Sequence, residues 1–226
     1  MGEKKHLDKV MELFQKSLVV DFDSIKRIVG ENKKDKGYSK QLVRNLIKSG
    51  SVRQITKGYY TTHNNYQLSV FCFKPSYFGL QDTLSYYNVW EQETIPIIIT
   101  TKKVRNGIRK VFGKNIMIKR IDKRYFFGFE FREDHGFYYP YSNIEKTLID
   151  LVYFNIDLSD ESLWAILNRV NEKKIKNYLT KYPKRFRVKF YKKLKLDDVD
   201  KFLMSQAGFI SIRDVIKKVN KQKSHD

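Results

Sequence analysis

The sequence predicts an α+β protein: an N-terminal winged helix-turn-helix followed by a mixed α+β domain whose C-terminal part is mostly helical. Three observations support this fold class. Helical periodicity recurs three times in the first 50 residues, two β-prone runs then flank a glycine, and the middle of the chain alternates short apolar runs with helical patterns. Of the 226 residues, 41% are hydrophobic and 15% are aromatic, a composition that excludes a wholly disordered chain.

The first two helices are predicted from apolar spacing and cap signals. The first helix carries apolar residues at i, i+3, i+4 and i+7, namely Leu7, Val10, Met11 and Phe14. After an extended run at Leu18–Val20, either Asp21 or Asp23 is expected to cap a second helix that stops at Gly30. A polar, lysine-rich loop is then predicted from Glu31 to Gly37.

The third helix is expected to have Ser39 as its N-cap and Gly50 as its stop. Its apolar stripe consists of Leu42, Val43, Leu46 and Ile47. The opposite face contains three cations, two amides and no acid: Lys40, Gln41, Arg44, Asn45 and Lys48. Two β-prone runs, at 51–56 and 59–62, surround Lys57-Gly58 and predict a hairpin.

Three short helices followed by a hairpin are typical of a winged helix-turn-helix, in which the third helix enters the major groove. The hairpin is then the wing, with its cations reaching the DNA backbone. We therefore predict contacts to double-stranded operator DNA from Ser39, Lys40, Gln41, Arg44, Asn45, Lys48, Arg53 and Lys57. The alternative for the same residues is an ordinary solvated helix face.

A linker at residues 63–65 is predicted to divide the chain into a DNA-binding domain, residues 1–62, and an α+β effector domain, residues 66–226. The predicted strands of the second domain are Leu68–Phe73, Ile95–Thr100, Ile116–Ile118 and Tyr125–Phe131, the last with Phe127, Phe129 and Phe131 facing inward. The predicted helices are Ser76–Tyr87 and Asn143–Phe154, and from about residue 157 the chain is expected to be helical, with Ser159 as a cap and closing helices at Leu196–Met204 and Ile212–Val219. The segment Phe186–Phe190 is expected to be irregular or a short strand.

The charge favours a polyanionic partner. Lys and Arg total 45 against 25 acids, which gives a formal net charge of +20, and such a surplus attracts nucleic acid. An AT-rich coding bias is the alternative explanation, because alanine occurs only at Ala165 and Ala207 while lysine and tyrosine are abundant.

Residues suited to catalysis are few, so we expect a protein that is not an enzyme and needs no cofactor or metal. A single cysteine, Cys72, excludes a disulfide framework, and the four histidines lack metal-ligand spacing. Asp122 followed by Glu130-Phe131-Arg132 has a faint likeness to metal-dependent nucleases, although Arg132 stands where such a site needs a lysine. A DNA-processing enzyme, or a subunit of one, is therefore the alternative function.

The expected location is the cytoplasm, without membrane association. No run approaches 18 apolar residues, and the N-terminus leads into an amphipathic pattern rather than the apolar centre of a signal peptide.

Four segments, in order over about residues 5 to 155, resemble AbiEi-type antitoxins of abortive-infection systems. They are Leu46–Tyr60, Tyr77–Tyr87, Ile97–Thr100 and Asn143–Asp150. Lys57 replaces the arginine that often precedes the wing glycine in that family, and the C-terminal part aligns with no family motif. The resemblance implies a transcriptional repressor of its own operon that is also the antitoxin of a nucleotidyltransferase-type toxin, with the winged helix on operator DNA and the larger domain providing neutralisation.

Overall fold

The computed structural model describes residues 4–30 and 37–194, which fold as an α+β protein. Its N-terminal unit consists of α1 (Lys4–Lys16), β1 (Val20–Asp21), α2 (Phe22–Val29), α3 (Tyr38–Lys48), β2 (Arg53–Thr56) and β3 (Tyr59–Thr61). The three strands form an antiparallel sheet in the order β1-β3-β2. Apolar residues from all three helices share one core, which includes Val10, Phe14, Ile25, Leu42 and Leu46. The predicted order of three helices and a hairpin is observed.

Helix α2 begins and ends at the residues that its sequence signals indicate. Asp21, the first of the two predicted caps, accepts hydrogen bonds from Ser24 N at 2.8 Å and from Ser24 Oγ at 2.9 Å. Partial burial acts to raise the pKa of Asp21, but the Ser24 hydrogen bonds outweigh it and the pKa is lowered. Gly30 ends the helix with φ of 68°, a conformation that glycine adopts without steric cost. Residues 31–36 of the predicted lysine-rich loop lie outside the described residues.

The second unit is a six-stranded mixed sheet with helices and two cores. Its strands are β4 (Ser76–Phe78), β5 (Ile97–Thr100), β6 (Gly107–Val111), β7 (Lys114–Arg120), β8 (Phe129–Asp134) and β9 (Phe137–Ser142). Their order is β6-β7-β5-β4-β9-β8, in which β4–β9 and β5–β7 pair in parallel and the other neighbours are antiparallel. Its α-helices are α4 (Leu80–Tyr86), α5 (Ile144–Tyr153), α6 (Asp160–Leu167), α7 (Glu172–Thr180) and α8 (Lys184–Lys193).

The two cores of this unit lie on opposite faces of the sheet. Side chains alternate along β5, so that Ile97 and Ile99 pack against the helices while Ile98 packs on the other side. That other side is covered by a 3-10 helix, Tyr66–Phe73, which contributes Leu68 and Val70.

Two predictions about the start of the second unit were wrong. Leu68–Phe73 is not a strand but part of the 3-10 helix, whose residues are buried on several sides. Ser76–Tyr87 is not one helix, because β4 occupies 76–78 and α4 begins only at Leu80. The break falls at Gly79, where a Cβ would lie 2.4 Å from Cδ1 of Ile99.

Two later predictions also fail. Tyr125–Phe131 is not a continuous strand, since Tyr125 ends a short 3-10 helix, Gly128 adopts φ of 73°, and β8 starts at Phe129. Phe131, expected inside, is 61% exposed. Phe186–Phe190 is helical as part of α8, because Pro183 starts that helix rather than interrupting it.

The helical character after residue 157 is confirmed up to residue 194. Ser159 caps α6, and Asn143 caps α5 by accepting from Lys146 N at 3.0 Å. The predicted closing helices Leu196–Met204 and Ile212–Val219 lie outside the described residues. No helix in the described ranges is both long and apolar enough to cross a bilayer.

The hairpin of the first unit is packed against the second unit. Ile55 on β2 is 4% exposed because it lies in the same cluster as Leu68, Val70 and Ile98. Nearby, Lys102 Nζ donates to Tyr59 Oη at 2.8 Å.

The predicted linker is also held in place. The His63 ring contacts the Phe137 ring edge-on with centroids 5.2 Å apart, and Asn65 Nδ2 donates to Tyr139 Oη at 2.9 Å. The division of the chain into domains at residues 1–62 and 66–226 therefore stays a prediction. In the structure the two units meet at a packed junction.

Candidate nucleic-acid interface

Helix α3 buries one face in the N-terminal core and exposes the other. Leu42, Val43 and Leu46 are buried, whereas Ile47, predicted for the same stripe, is 38% exposed at its edge. The helix ends at Lys48, and Gly50 follows with φ of 74° and donates to Ile47 O at 3.0 Å. The predicted stop at Gly50 is therefore confirmed to within a residue or two.

Ser39 was wrongly predicted as the N-cap. Gly37 occupies that position, and Ser39 lies inside the first turn of α3. Its side chain is completely buried, and its hydroxyl has no hydrogen-bond partner among the described residues. Ser39 therefore cannot reach DNA from this structure, and we remove it from the candidate interface.

The other five predicted side chains of α3 are all exposed on one face. They are Lys40, Gln41, Arg44, Asn45 and Lys48. The i, i+4 spacing places the three cations in one row along the helix and the two amides in the adjacent row. Gln41 Nε2 donates to Asn45 Oδ1 at 3.0 Å, which holds the two amides side by side.

The hairpin presents two more of the predicted cations. Arg53 and Lys57 are exposed, while Ile55 between them is buried in the core. Gly58 turns the chain with φ of 81°, and its carbonyl accepts from Phe22 N at 2.8 Å. This bond ties the tip of the hairpin to the start of α2, a helix that shares its core with α3.

The electrostatics of this surface are one-sided. Lys40, Arg44, Lys48, Arg53 and Lys57 form no ion pair with any acid in the described part of the chain. Helix α3 itself contains no acid. An exposed set of cations and amides without internal counter-charges is suited to phosphate oxygens and to the edges of bases.

The carboxylates of the nuclease alternative are occupied by arginines. Hydrogen bonds from the side chain and backbone of Arg124 lower the pKa of Asp122 to about 2. Glu130 pairs with Arg132 and lies 3.6 Å from the ammonium of Lys174. Among the described residues there is no group of three or more His, Cys, Asp or Glu side chains placed to hold a metal ion.

Cys72 is buried, and burial raises its pKa to about 12. A thiol that stays protonated at neutral pH is a poor nucleophile. Cys72 lies on the 3-10 helix and not on the strand predicted for Leu68–Phe73.

The Asn143–Asp150 segment places an ion pair in the core of the second unit. Lys146 and Asp150, one helical turn apart on α5, are both 0% exposed and bond to each other. Tyr77 Oη donates to Asp150 Oδ2 at 2.7 Å, and Lys146 Nζ donates to Tyr182 Oη at 3.2 Å. The spacing of the pair is visible in the sequence, whereas its burial is not. The pair links β4, α5 and the residues before α8.

Comparison with known proteins shows similarity at the level of the fold. No family model and no curated protein matches the chain. Among solved structures, the RV2827C protein from Mycobacterium tuberculosis is similar, with a TM-score of 0.52 over 83% of this chain and 75% of that chain. The two sequences are 11% identical, so the likeness concerns the fold alone.

Proposed function

We propose that the protein is a transcriptional repressor that binds duplex DNA through an N-terminal winged helix-turn-helix, and that it is the antitoxin of a nucleotidyltransferase-type toxin. The observation that carries the DNA-binding part is the acid-free, exposed face of α3, continued by the cations of the hairpin. The resemblance of four ordered segments to AbiEi-type antitoxins supports the second part.

In this proposal α3 is the recognition helix and the hairpin is the wing. Arg44, in the middle of the cation row, is placed to form a bidentate contact with the O6 and N7 atoms of guanine. Gln41 and Asn45 are suited to adenine, whose N6 and N7 match an amide. Lys40, Lys48, Arg53 and Lys57 then contact phosphates on either side.

The experiment compares Arg44→Ala with Lys57→Ala on the promoter region of the protein's own operon. Arg44→Ala is expected to weaken binding to that DNA by about 1–3 kcal/mol and to relax base preference, because a base contact is lost. Lys57→Ala should weaken binding to promoter DNA and to random DNA equally, because phosphates are the same in both. Dissociation constants at several salt concentrations measure both effects, and a footprint of about five phosphates gives a log–log salt slope near −4.5.

Lys184→Ala is the matched control, since Lys184 is an exposed cation on α8 of the second unit. If Arg44→Ala lowered affinity for promoter and random DNA alike, the assignment of α3 as recognition helix would be wrong. A flat salt response would contradict duplex binding altogether.

The same variant tests the antitoxin part. Expression of a nucleotidyltransferase encoded beside this gene should arrest growth when it is expressed alone. Co-expression of this protein should restore growth. Arg44→Ala should still restore growth while losing promoter binding, because neutralisation is assigned to the second unit. Failure of the wild-type chain to restore growth would overturn this part of the proposal and leave the DNA-binding part standing.

A further inference from the structure

A second cation-only region lies in the middle of the sequence. Residues 101–120 contain eight cations and no acid: Lys102, Lys103, Arg105, Arg109, Lys110, Lys114, Lys119 and Arg120. None of these cations forms an ion pair with a described acid. The region comprises the loop after β5 and the β6–β7 hairpin, which ends the six-stranded sheet on one side.

This region begins directly beside the wing. Lys102 Nζ donates to Tyr59 Oη at 2.8 Å and to Cys72 O at 3.1 Å, and it lies 4.9 Å from the centre of the Tyr59 ring. Tyr59 is the first residue of β3 after the Lys57-Gly58 turn. The loop that follows β5 is therefore anchored on the strand that carries the wing tip.

Strand β6 carries a cation on the face of the sheet against which the wing packs. The Arg109 guanidinium lies 5.3 Å from the centre of the Phe73 ring, and its Nη2 donates to Arg105 O at 3.1 Å. Phe73 belongs to the same core cluster as Ile55 of β2. Arg109 thus lies on the side of the sheet where the wing is packed, and not on the side of α5, α7 and α8.

Protection of a sheet edge does not account for this charge pattern. Charged residues on an edge strand discourage pairing with another chain, but either sign serves that purpose. The opposite edge strand, β8, contains both signs, with Glu130, Arg132, Glu133 and Asp134. A run of one sign without internal counter-charges points to an anionic partner instead.

We propose that the β6–β7 hairpin and the loop before it form a second DNA-backbone surface, which extends the footprint beyond the wing by contacting phosphates that flank the operator. This inference rests on the proposed winged-helix function. At about 3.4 Å per residue the five residues of β6 span about 17 Å. That length corresponds to about five base pairs on the wing side, at 3.4 Å per base pair.

The test compares two triple variants of the full chain that remove the same charge. Lys103→Ala/Arg105→Ala/Lys114→Ala removes three exposed cations from the proposed surface, where Lys114 lies on the same face of β7 as Ile116 and Ile118. Lys173→Ala/Lys184→Ala/Arg185→Ala removes three exposed cations from α7 and α8, whose core lies on the other face of the sheet. Each variant is measured on a short duplex limited to the α3 and wing contacts and on one extended by about ten base pairs on the wing side.

On the short duplex we expect both triple variants to bind as the wild type does. On the extended duplex the first variant should lose the affinity that the extension adds, with a salt slope smaller by about 2.7 for three lost phosphate contacts. Its nuclease footprint should shorten by about five base pairs. Equal salt slopes and footprints for the two triple variants on the extended duplex would overturn the inference.

Arg44→Ala on the short duplex separates this failure from failure of the proposed function. If Arg44→Ala weakens binding to the short duplex while the two triple variants have equal salt slopes and footprints on the extended duplex, only the proposal of a second surface is wrong. If Arg44→Ala changes neither duplex, the winged-helix proposal is wrong, and the inference that rests on it falls too.

Discussion

At the scale of single residues, the buried pair Lys146–Asp150 is the most consequential arrangement outside the interface. Burial lowers the pKa of Lys146 and raises that of Asp150, since desolvation disfavours both charged forms, and the pairing opposes both effects. Such a pair adds little net stability, but losing one partner leaves a charge in the core with nothing to compensate it.

We therefore predict that Asp150→Asn destabilises the fold by about 3–5 kcal/mol. The cost arises because the Lys146 ammonium must then be buried alone or deprotonated. Urea unfolding followed by circular dichroism measures the change in the free energy of unfolding. Glu12→Gln is the control, because Glu12 forms an i, i+4 pair with Lys16 at the surface, and that change should leave the unfolding midpoint unaltered. A similar effect of both variants would contradict the assignment of Asp150 to a tightly coupled core pair.

Single residues also mark what sequence reasoning could reach. Gly30 and Ser159 were located correctly, and Asp21 was one of the two caps predicted for α2, because caps depend on local hydrogen bonds that their side chains or backbones provide. Ser39 was misplaced because a serine one position inside a helix and a serine at its N-cap look alike in sequence. Only the packing of the first turn of α3 against the core distinguishes them.

At the scale of elements, the failures occur where tertiary contacts override local pattern. A continuous apolar run such as Leu68–Phe73 fits a buried strand or a buried helix equally well. The segment forms a 3-10 helix because it covers one face of the sheet and has no neighbouring strand. The positions of α3 and of the β2–β3 hairpin were predicted more reliably, because these elements expose one face and bury the other, so that their residue patterns are periodic.

The junction of β4 and α4 permits a test at this scale. Gly79 has room for no Cβ because Ile99 Cδ1 would lie 2.4 Å away, so Gly79→Ala should cost about 1–3 kcal/mol through overpacking. Ile99→Val, which removes that methyl group, should cost about 0.5–1.5 kcal/mol alone. The double variant is expected to lose less free energy of unfolding than the sum of the two single losses, since the valine makes room for the new Cβ. Thermal unfolding of the three variants measures the coupling, and strict additivity would show that the close approach is relieved elsewhere.

At the scale of the whole molecule, the packed junction between the units decides how the chain can be divided. Ile55 packs in one cluster with residues of the second unit such as Leu68 and Ile98, so a fragment of residues 1–62 lacks these neighbours. Composition and periodicity predict a boundary between two sets of elements, but they give no indication that β2 supplies a residue to the second core.

This arrangement predicts that Ile55→Thr has opposite effects in two contexts. In the full chain it should lower the free energy of unfolding by about 1–3 kcal/mol, because a hydroxyl replaces an apolar group in the core. In the 1–62 fragment it should reduce self-association, because it removes an exposed apolar side chain. Denaturant unfolding of the chain and light scattering of the fragment measure the two effects. Ile108→Thr serves as the control in the full chain, since Ile108 is 60% exposed. Equal losses from both substitutions would contradict the packed junction.

The inward-facing Ile55 also bears on how such a protein can be recombined. A DNA-binding domain that ends at an open, polar linker can be exchanged between genes as an independent unit. Here a crossover at residues 63–65 would deliver strand β2, whose buried side chain packs against the 3-10 helix and sheet of this chain. Under the proposed function, new DNA specificities should therefore arise by substitutions on the exposed face of α3, or by joint transfer of residues 4–73, rather than by exchange of the first 62 residues alone.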